Sequence, residues 1–294
     1  MSGGGTAAGR TSGGRLFVVA TPIGNLADTT FRAVEVLRDV PLIAAEDTRL
    51  TKRLLDRHEI RTRTVSFHAR SGPGRLEELL AHLRSGHDLA VVTDAGTPGV
   101  SDPGEELVRA WADEGGVVVP IPGASAVLAA VAAAGVAGPR WAFEGFLPRS
   151  GRERRERLSR IAGDDRGTVL YEAPGRVAAT LADLATACGP DRPAAVAREL
   201  TKVHEQIVRG PLGELADRAR SGELTLRGEF AIVVGSWTGH AAREPSTATS
   251  AADALAEVER RVAAGTPRGE AVRAVAAETG LPRRQLYRVD GARR

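Results

Sequence analysis

Two segments rich in glycine and proline, each directly after an apolar run, carry residues suited to holding a small molecule. Asp94-Ala95-Gly96-Thr97-Pro98 follows residues 89–93, and Pro122-Gly123-Ala124-Ser125-Ala126 follows residues 117–121. Ligands bind at the carboxyl ends of buried strands in open α/β sheets, where glycine permits close backbone approach and proline stiffens the loop. The two segments therefore predict a binding pocket with an acid, Asp94, and a hydroxyl that opens a helix, Ser125. The alternative is that both are ordinary strand-to-helix turns.

The glycine motifs of the common nucleotide sites are absent from this sequence. No Gly-x-x-x-x-Gly-Lys-[Ser/Thr] occurs, and no Gly-x-Gly-x-x-Gly follows the first predicted strand. These absences disfavour a nucleoside triphosphatase and a nicotinamide enzyme. A ligand without phosphate that carries an ammonium, a sulfonium, ribose hydroxyls and an adenine suits the acid and the loops better. S-adenosylmethionine has this profile.

The composition is typical of a globular chain with enough apolar residues for two domains. The chain has 294 residues, 42% of them hydrophobic and 26% charged, and a net charge of +3. The pI near 9.6 is compatible with an anionic partner. Cys188 is the single cysteine, so we predict a reducing, cytoplasmic location and no structural metal. No apolar run reaches the roughly 20 residues of a membrane span, so we expect no membrane partner.

Strand and helix signals alternate along the chain and predict the α/β fold class. Residues 15–121 form the first predicted domain, with a mainly parallel sheet of strands near 16–20, 42–45, 65, 89–93 and 117–121. Residues 122–237 form the second, with strands near 141–145, 168–171, 194–197, 205–208 and 230–234. Only a short join around Lys202 links two of these strands, which favours an antiparallel pair and hence a mixed sheet.

The two ends of the chain differ from the body in composition. Residues 1–14 are rich in glycine, serine, threonine and alanine and are predicted to be a disordered leader. They lack the apolar core of a signal peptide. Residues 238–250 are small and polar, as is typical of a linker. Residues 251–294 predict a helical extension that resembles a helix-turn-helix. The alternative is a helical appendage that docks on the body.

Seven motifs of the chain stand in the order found in one known family. They are Ala20-Thr21-Pro22-Ile23-Gly24-Asn25-Leu26, Ala45-Glu46-Asp47-Thr48-Arg49, Thr93-Asp94-Ala95-Gly96-Thr97-Pro98, Pro122-Gly123-Ala124-Ser125-Ala126, Phe143-Glu144-Gly145-Phe146-Leu147-Pro148, Tyr171-Glu172-Ala173-Pro174 and Arg198-Glu199-Leu200-Thr201-Lys202. With them the chain resembles the ribosomal RNA small subunit methyltransferase I family, the cytidine 2′-O-methyltransferase branch of the tetrapyrrole methylases. Ala69-Arg70-Ser71 departs from that family, which tends to carry an acid and an asparagine there.

The resemblance implies a two-domain tetrapyrrole-methylase-like fold with S-adenosylmethionine in the cleft between the domains. It also implies a homodimer that methylates a cytidine ribose of 16S ribosomal RNA near the decoding site, within the small ribosomal subunit. Carried over motif by motif, the cofactor-binding residues would be Pro22, Ile23, Asp94, Ala95, Gly96, Thr97, Pro98, Ser125, Ala126 and Tyr171.

Methylation of a ribose hydroxyl needs a general base or a nearby cation, because the hydroxyl is a poor nucleophile while it holds its proton. The candidate catalytic residues are Glu46, Asp47, His68, Glu199 and Lys202. Lys202 leads among the cations because Lys52 is the only other lysine. For Asp47 the alternative is a helix cap paired with Arg49, and for His68 it is a hydrogen-bonded structural histidine.

A run of arginines at the start of one predicted helix is suited to phosphate contacts. The predicted RNA-binding residues are Arg49, Arg149, Arg152, Arg154 and Arg155. The alternative for the run is a solvated helix face on which the arginines pair with Glu153 and Glu156.

Two other functions stay open on the sequence alone. A tetrapyrrole methyltransferase would share the cofactor cleft, although residues 21–25 depart from the Gly-rich first loop of those enzymes and a small acceptor leaves the basic tail unexplained. A DNA-binding regulator would read DNA with the tail and sense a ligand with the α/β body.

Overall fold

A computed structural model describes residues 13–236, 251–279 and 283–286. The chain divides into two compact units, Met1–Trp237 and Thr238–Arg294. The first unit contains two five-stranded sheets. Residues 1–12 of the predicted leader and all of the predicted linker lie outside the described residues.

The first sheet is parallel throughout, in agreement with the prediction of a mainly parallel sheet. Its strands are β1 (Arg15–Val19), β2 (Leu42–Ala45), β3 (Thr64–Ser66), β4 (Leu89–Val92) and β5 (Val117–Ile121). They lie in the order β3-β2-β4-β1-β5. The helices between them are α1 (Phe31–Asp39), α2 (Thr48–Arg57), α3 (Pro73–Arg84) and α4 (Glu105–Asp113).

Helices cover both faces of the first sheet because its central strands are apolar on both sides. Every residue of β2 and β4 is buried. Leu37 of α1 and Leu54 of α2 pack in the core on one face, whereas Leu83 of α3 and Trp111 of α4 pack in the core on the other. Because the strands are parallel, their carboxyl ends lie at one edge of the sheet. The loops that leave this edge lead to helices on opposite faces.

The second sheet is mixed, as predicted. Its strands are β6 (Trp141–Phe146), β7 (Gly167–Glu172), β8 (Pro193–Arg198), β9 (Gln206–Pro211) and β10 (Phe230–Val234), in the order β6-β7-β10-β8-β9. β6 and β7 pair in parallel, and the other pairs, including the predicted pair β8 and β9, are antiparallel. Its helices are α5 (Ala126–Ala134), α6 (Gly151–Gly163), α7 (Val177–Cys188) and α8 (Leu212–Ser221).

Alternate residues of β10 enter two different cores, as the pleat of a strand requires. Ala231 and Val233 pack with α5, whereas Ile232 and Val234 pack with α6, α7 and α8. Arg192, just before β8, is also buried, and its guanidinium donates to four backbone carbonyl oxygens, those of Gly235, Ile161, Asp164 and Arg166. The second sheet is therefore a second layered core, with α5 on the side that carries the candidate site.

The second unit contains α9 (Ala251–Ala263), α10 (Arg268–Thr279) and α11 (Arg283–Leu286). Val258, Val272, Val275 and Leu286 are fully buried in its small core. Residues 280–282 and 287–294, on which part of the predicted helix-turn-helix depends, lie outside the described residues. Of the helices in the described ranges, none is long and apolar enough to cross a membrane.

Candidate functional site

A backbone bridge joins the loops that follow β1 and β4. The amide of Thr21 donates to the carbonyl oxygen of Gly96 at 2.9 Å, and the amide of Gly96 donates back at 3.0 Å. The buried Thr21 hydroxyl also donates to the carbonyl oxygen of Thr93 at 3.0 Å. Gly96 has a φ of 89°, which favours glycine at this position. The bridge holds the two loops close together at the carboxyl ends of their strands.

Two carboxylates make a second tie, between the loops that follow β2 and β4. The Asp47 amide donates to Asp94 Oδ1 at 3.0 Å, and the Asp94 amide donates to Glu46 Oε2 at 3.2 Å. Burial raises the pKa of Glu46 and of Asp94. Two of the predicted site acids are thus engaged by backbone amides, and they fix the shape of the loops.

A cavity of about 350 Å³ opens beside these ties, between the edges of the two sheets. This volume is within the roughly 300–1,000 Å³ of small-molecule sites. The lining residues from the side of the first sheet are Ile23, Ala95, Gly96, Thr97, Val100, Ser101, Asp102, Ser125 and Ala126. Those from the side of the second sheet are Phe146, Tyr171, Glu172, Ala173, Pro174, Ala197, Leu200, Gly228, Glu229, Phe230 and Ala231.

The cavity brings together most of the predicted cofactor-binding residues. Its lining includes Ile23, Ala95, Gly96, Thr97, Ser125, Ala126 and Tyr171, whereas Pro22, Asp94 and Pro98 adjoin lining residues in the sequence without lining it themselves. Ser125 is the N-cap of α5, and its hydroxyl accepts from the amide of Leu128. The role of all ten in cofactor binding stays a prediction.

Tyr171 is the largest side chain that the second sheet contributes to the cavity wall. Its ring meets Phe143 edge-on at 4.9 Å between centroids and Phe146 at 5.7 Å. Burial raises the pKa of Tyr171 to about 12, so the phenol stays protonated at neutral pH. The ring contacts hold Tyr171 in one orientation beside the cavity.

Lys202 lies at the edge of the cavity, held by two carboxylates. Its Nζ atom is 2.9 Å from Glu199 Oε1 and 2.9 Å from Glu229 Oε2. The Glu229 amide donates to Glu199 Oε1 at 2.9 Å. A Cβ atom on Gly24 would lie 2.5 Å from Lys202 Cγ, so the loop after β1 packs directly on the lysine stem. The structure thus places predicted residues Glu199 and Lys202 together and adds Glu229.

The ion pairs with Glu199 and Glu229 determine the protonation state of Lys202. Burial on its own would lower the pKa of Lys202, but hydrogen bonds to Glu229 and Glu199 outweigh it and raise the pKa. A hydrogen bond from the Glu229 amide, with a second from Lys202, lowers the pKa of Glu199. Lys202 is therefore an ammonium at neutral pH. It can stabilise developing negative charge and cannot take up a proton.

Asp47 and His68 lie outside the cavity lining, and both have the arrangements given as their alternatives. Asp47 caps α2 and binds the Arg49 guanidinium at 2.7 Å, and the side-chain hydrogen bond from Arg49 lowers the pKa of Asp47 to about 2. The exposed His68 accepts at Nδ1 from the Arg70 amide at 3.1 Å. These contacts favour structural roles for both side chains.

Sequence reasoning missed Asp102, which is half-buried and lines the cavity. Burial raises the pKa of Asp102 to about 6, and the nearby charges of Glu46 and Asp94 add to the rise. The available signal was an acid set between Ser101 and Pro103 in the loop that already carries the Gly96 motif.

The predicted basic run lies on α6 and just before it, and its arginines divide between two environments. Arg149, Arg152 and Arg155 are exposed. Arg154 is only 8% exposed, and its guanidinium binds Asp183 at 2.7 Å and the Thr180 hydroxyl at 3.0 Å. The prediction that Arg154 contacts RNA is therefore wrong, because its charge is paired inside the protein. Arg49 is exposed beside Asp47.

The fold and the cleft place the chain among α/β proteins whose strand ends line an open cleft. A family model described as Tetrapyrrole (Corrin/Porphyrin) Methylases matches residues 15–216. The chain belongs to the tetrapyrrole methylase family.

Relatives that share nearly the whole chain place it more narrowly. It is 48% identical to the ribosomal RNA small subunit methyltransferase I of Synechocystis sp., over 94% of this chain and 97% of the relative. It is 39% identical to the protein of the same name from Bacillus subtilis, over 95% of this chain and 94% of the relative. Within the methylases, the chain groups with these ribosomal RNA methyltransferases.

Solved structures of other methylases have the same fold. A cobalt precorrin-4 methyltransferase covers 79% of this chain and 98% of its own, with a TM-score of 0.58 and 19% identity. A uroporphyrin-III C-methyltransferase from Thermus thermophilus, complexed with S-adenyl homocysteine, covers 76% of this chain and 97% of its own, with a TM-score of 0.55 and 21% identity. At these identities the likeness concerns the fold alone.

Gly228 and Gly222 form a matched pair for measuring how tightly the Glu199–Lys202 group is packed. Their φ angles are 88° and 86°, but a Cβ on Gly228 would lie 2.4 Å from Glu199 Cδ, whereas nothing lies within 4 Å of one on Gly222. Gly222→Ala should lose about 1–2 kcal/mol of unfolding free energy through backbone strain alone. Gly228→Ala should lose roughly 1–2 kcal/mol more, since it displaces Glu199 from Lys202. Urea unfolding measures both, and equal losses would contradict the tight packing.

Proposed function

We propose that this chain transfers a methyl group from S-adenosylmethionine to the 2′-hydroxyl of a cytidine in 16S ribosomal RNA, near the decoding site of the small subunit. The observation that carries the proposal is near-full-length identity of 48% and 39% with proteins named ribosomal RNA small subunit methyltransferase I. The cleft at the strand ends supplies the matching site.

The residues of the cavity fit S-adenosylmethionine by their chemistry. Ile23, Ala197, Leu200 and Ala231 give apolar walls suited to an adenine. Among the described residues, no arginine or lysine lines the cavity to repel the positive ammonium and sulfonium groups of the cofactor. When bound, the cofactor supplies a methyl group activated by the positive sulfur.

The protein's own part in catalysis is to align the acceptor and favour its ionised oxygen. Alignment of oxygen with methyl carbon supplies much of the rate in a displacement of this kind. Lys202 supplies a positioned ammonium beside the cavity, because Glu199 and Glu229 hold its Nζ atom at 2.9 Å each and an ammonium has a third N–H to donate to an acceptor oxygen. A positive charge that is already in position stabilises an oxygen that gains negative charge.

The outer face of α6, together with Arg149 just before the helix, is the proposed phosphate-binding surface. Arg149 and Arg155 are exposed and have no ion-pair or hydrogen-bond partner in the part of the chain that the structure describes. Arg152 pairs with Glu156, a contact that exposed groups exchange readily. Arg49 adds an exposed guanidinium at the start of α2.

Further parts of the proposal concern assembly and setting. We propose that the protein is a homodimer and that it acts in the cytoplasm. Its acceptor is the assembled small ribosomal subunit. The homodimer is carried over from the resemblance to the family, and the location from the single cysteine, Cys188.

The direct test is transfer of labelled methyl from S-adenosylmethionine to small ribosomal subunits from cells that lack this activity. We expect label at one cytidine whose ribose linkage resists alkaline cleavage, because a 2′-O-methyl group removes the attacking hydroxyl. Naked 16S RNA in parallel shows which form is the acceptor. Label on an added porphyrinoid, with none on RNA, would overturn the proposal in favour of tetrapyrrole methylation.

The two lysines of the chain provide a matched test of the cation. Lys202→Ala should lower the turnover rate by about 10²-fold or more while S-adenosylmethionine binding stays measurable, since the charge acts on the acceptor oxygen. Lys52→Ala is the control, because Lys52 lies on the exposed side of α2 and, within the described residues, pairs only with Asp56. Single-turnover transfer and calorimetric binding measure the two effects. Full activity of Lys202→Ala would remove the lysine from the mechanism.

Reversing two arginine charges tests the RNA surface. In the double variant Arg149→Glu and Arg155→Glu, the dependence of log Kd on log salt should weaken by roughly one unit for each phosphate that the protein no longer neutralises. Arg140→Glu with Arg220→Glu is the control, since both side chains are exposed and the change in net charge is equal. Filter binding of 16S RNA at several salt concentrations measures the slope. An unchanged slope would make α6 a solvated face.

A further inference from the structure

Asp102 differs from the other acids around the cleft because no described residue donates a hydrogen bond to its carboxylate. Glu46 and Asp94 each accept from a backbone amide of the neighbouring loop. Glu199 accepts from Lys202 and from the Glu229 amide. For the carboxylate of Asp102, the described residues provide no such donor, although it lines the cavity and is half-buried. Both of its oxygens are therefore available to a bound molecule.

The loop that carries Asp102 turns sharply on both sides of the acid. Gly99, Ser101 and Gly104 have positive φ angles of 83°, 64° and 127°. The loop also approaches β6, where a Cβ on Gly145 would lie 3.1 Å from Ser101 Oγ. Asp102 thus stands among the residues that line the cavity, where a bound molecule can contact its carboxylate.

The surroundings of Asp102 make it a stronger base than an ordinary aspartate. Glu46 faces it from the end of β2, Asp94 from the end of β4 and Tyr171 from β7. Burial, followed by the charges of Glu46 and Asp94, raises its pKa to about 6. At pH 7–8 the side chain is then mostly ionised yet well able to hold a proton, which is the condition for general-base catalysis.

We propose that Asp102 is the general base that takes the proton from the acceptor hydroxyl during methyl transfer. As the bond between the ribose oxygen and the methyl carbon forms, the bond from that carbon to the sulfur of the sulfonium donor breaks and leaves its electron pair on sulfur. The hydroxyl proton passes to an oxygen of Asp102 and later to water. The assignment rests on the proposed function and gives Asp102 and Lys202 complementary tasks, proton acceptor and fixed cation.

Asp102→Asn keeps the shape of the side chain and removes its basicity. We expect turnover on small subunits to fall by about 10²–10⁴-fold. The wild-type rate should rise with pH through about 6, and this dependence should be absent from the variant. Binding of S-adenosylhomocysteine, measured by calorimetry, should persist. Asp113→Asn, at the exposed far end of α4, is the matched control.

Stability provides a readout that does not depend on activity. The pKa of Asp102 in the folded chain is above the roughly 3.9 of an unfolded aspartate, so the folded state binds more protons between these values and loses stability as the pH rises through them. Asp102→Asn lacks this loss. The melting temperature of the variant relative to wild type should therefore increase from pH 4 to pH 8, whereas Asp113→Asn should show no such trend.

The outcomes separate the assignment from the function on which it rests. A wild-type rate retained by Asp102→Asn with the same pH profile would overturn the assignment alone. Loss of S-adenosylhomocysteine binding in the variant would also overturn it, because Asp102 would then hold the cofactor. Absence of label with the wild-type protein would overturn the proposed function and the assignment together.

Discussion

The bridge between Thr21 and Gly96 is the contact on which the candidate site depends. A parallel sheet ends its strands at one edge, but α1 and α2 cover one face and α3 and α4 the other, so the loops after β1 and β4 must diverge. Divergence creates a crevice, and two backbone hydrogen bonds of 2.9 and 3.0 Å keep the crevice narrow without filling it with side chains. The carboxylate ties at Glu46 and Asp94 repeat this solution one strand further along the edge.

The charges around the cleft are arranged so that most of them are already neutralised. Glu172, which is 2% exposed in the cavity wall, accepts from the Ala173 amide and from the Thr180 hydroxyl. Arg154 donates to the same hydroxyl from α6. Buried polar groups that are fully paired hold one conformation, because any other arrangement would leave a buried group without a hydrogen bond and destabilise the fold. This network pairs the buried acid of the wall that the second sheet provides, whereas the carboxylate of Asp102 has no such partner among the described residues.

Local patterns predicted the strands of both sheets, because apolar runs and glycine turns reflect the local backbone directly. Glu229 was not predicted as a partner of Lys202, because the two residues are 27 positions apart in the sequence and only the fold brings them together. The burial of Arg154 could have been predicted from the sequence. It shares the i, i+4, i+7 spacing of Leu158 and Ile161, which are the buried residues of the same face of α6.

The cavity is lined from both sheets, and the two layered cores position its walls. A cobalt precorrin-4 methyltransferase shares this fold at 19% identity, so the layered cores tolerate nearly complete replacement of their side chains. The cavity is lined by strand ends and by the start of α5, which packs on one of those cores. Arg49, His68 and Arg149 instead lie on loops or helix ends outside the cavity lining. Because such segments change without disturbing a core, the surface around the cavity can vary while the cavity walls stay the same.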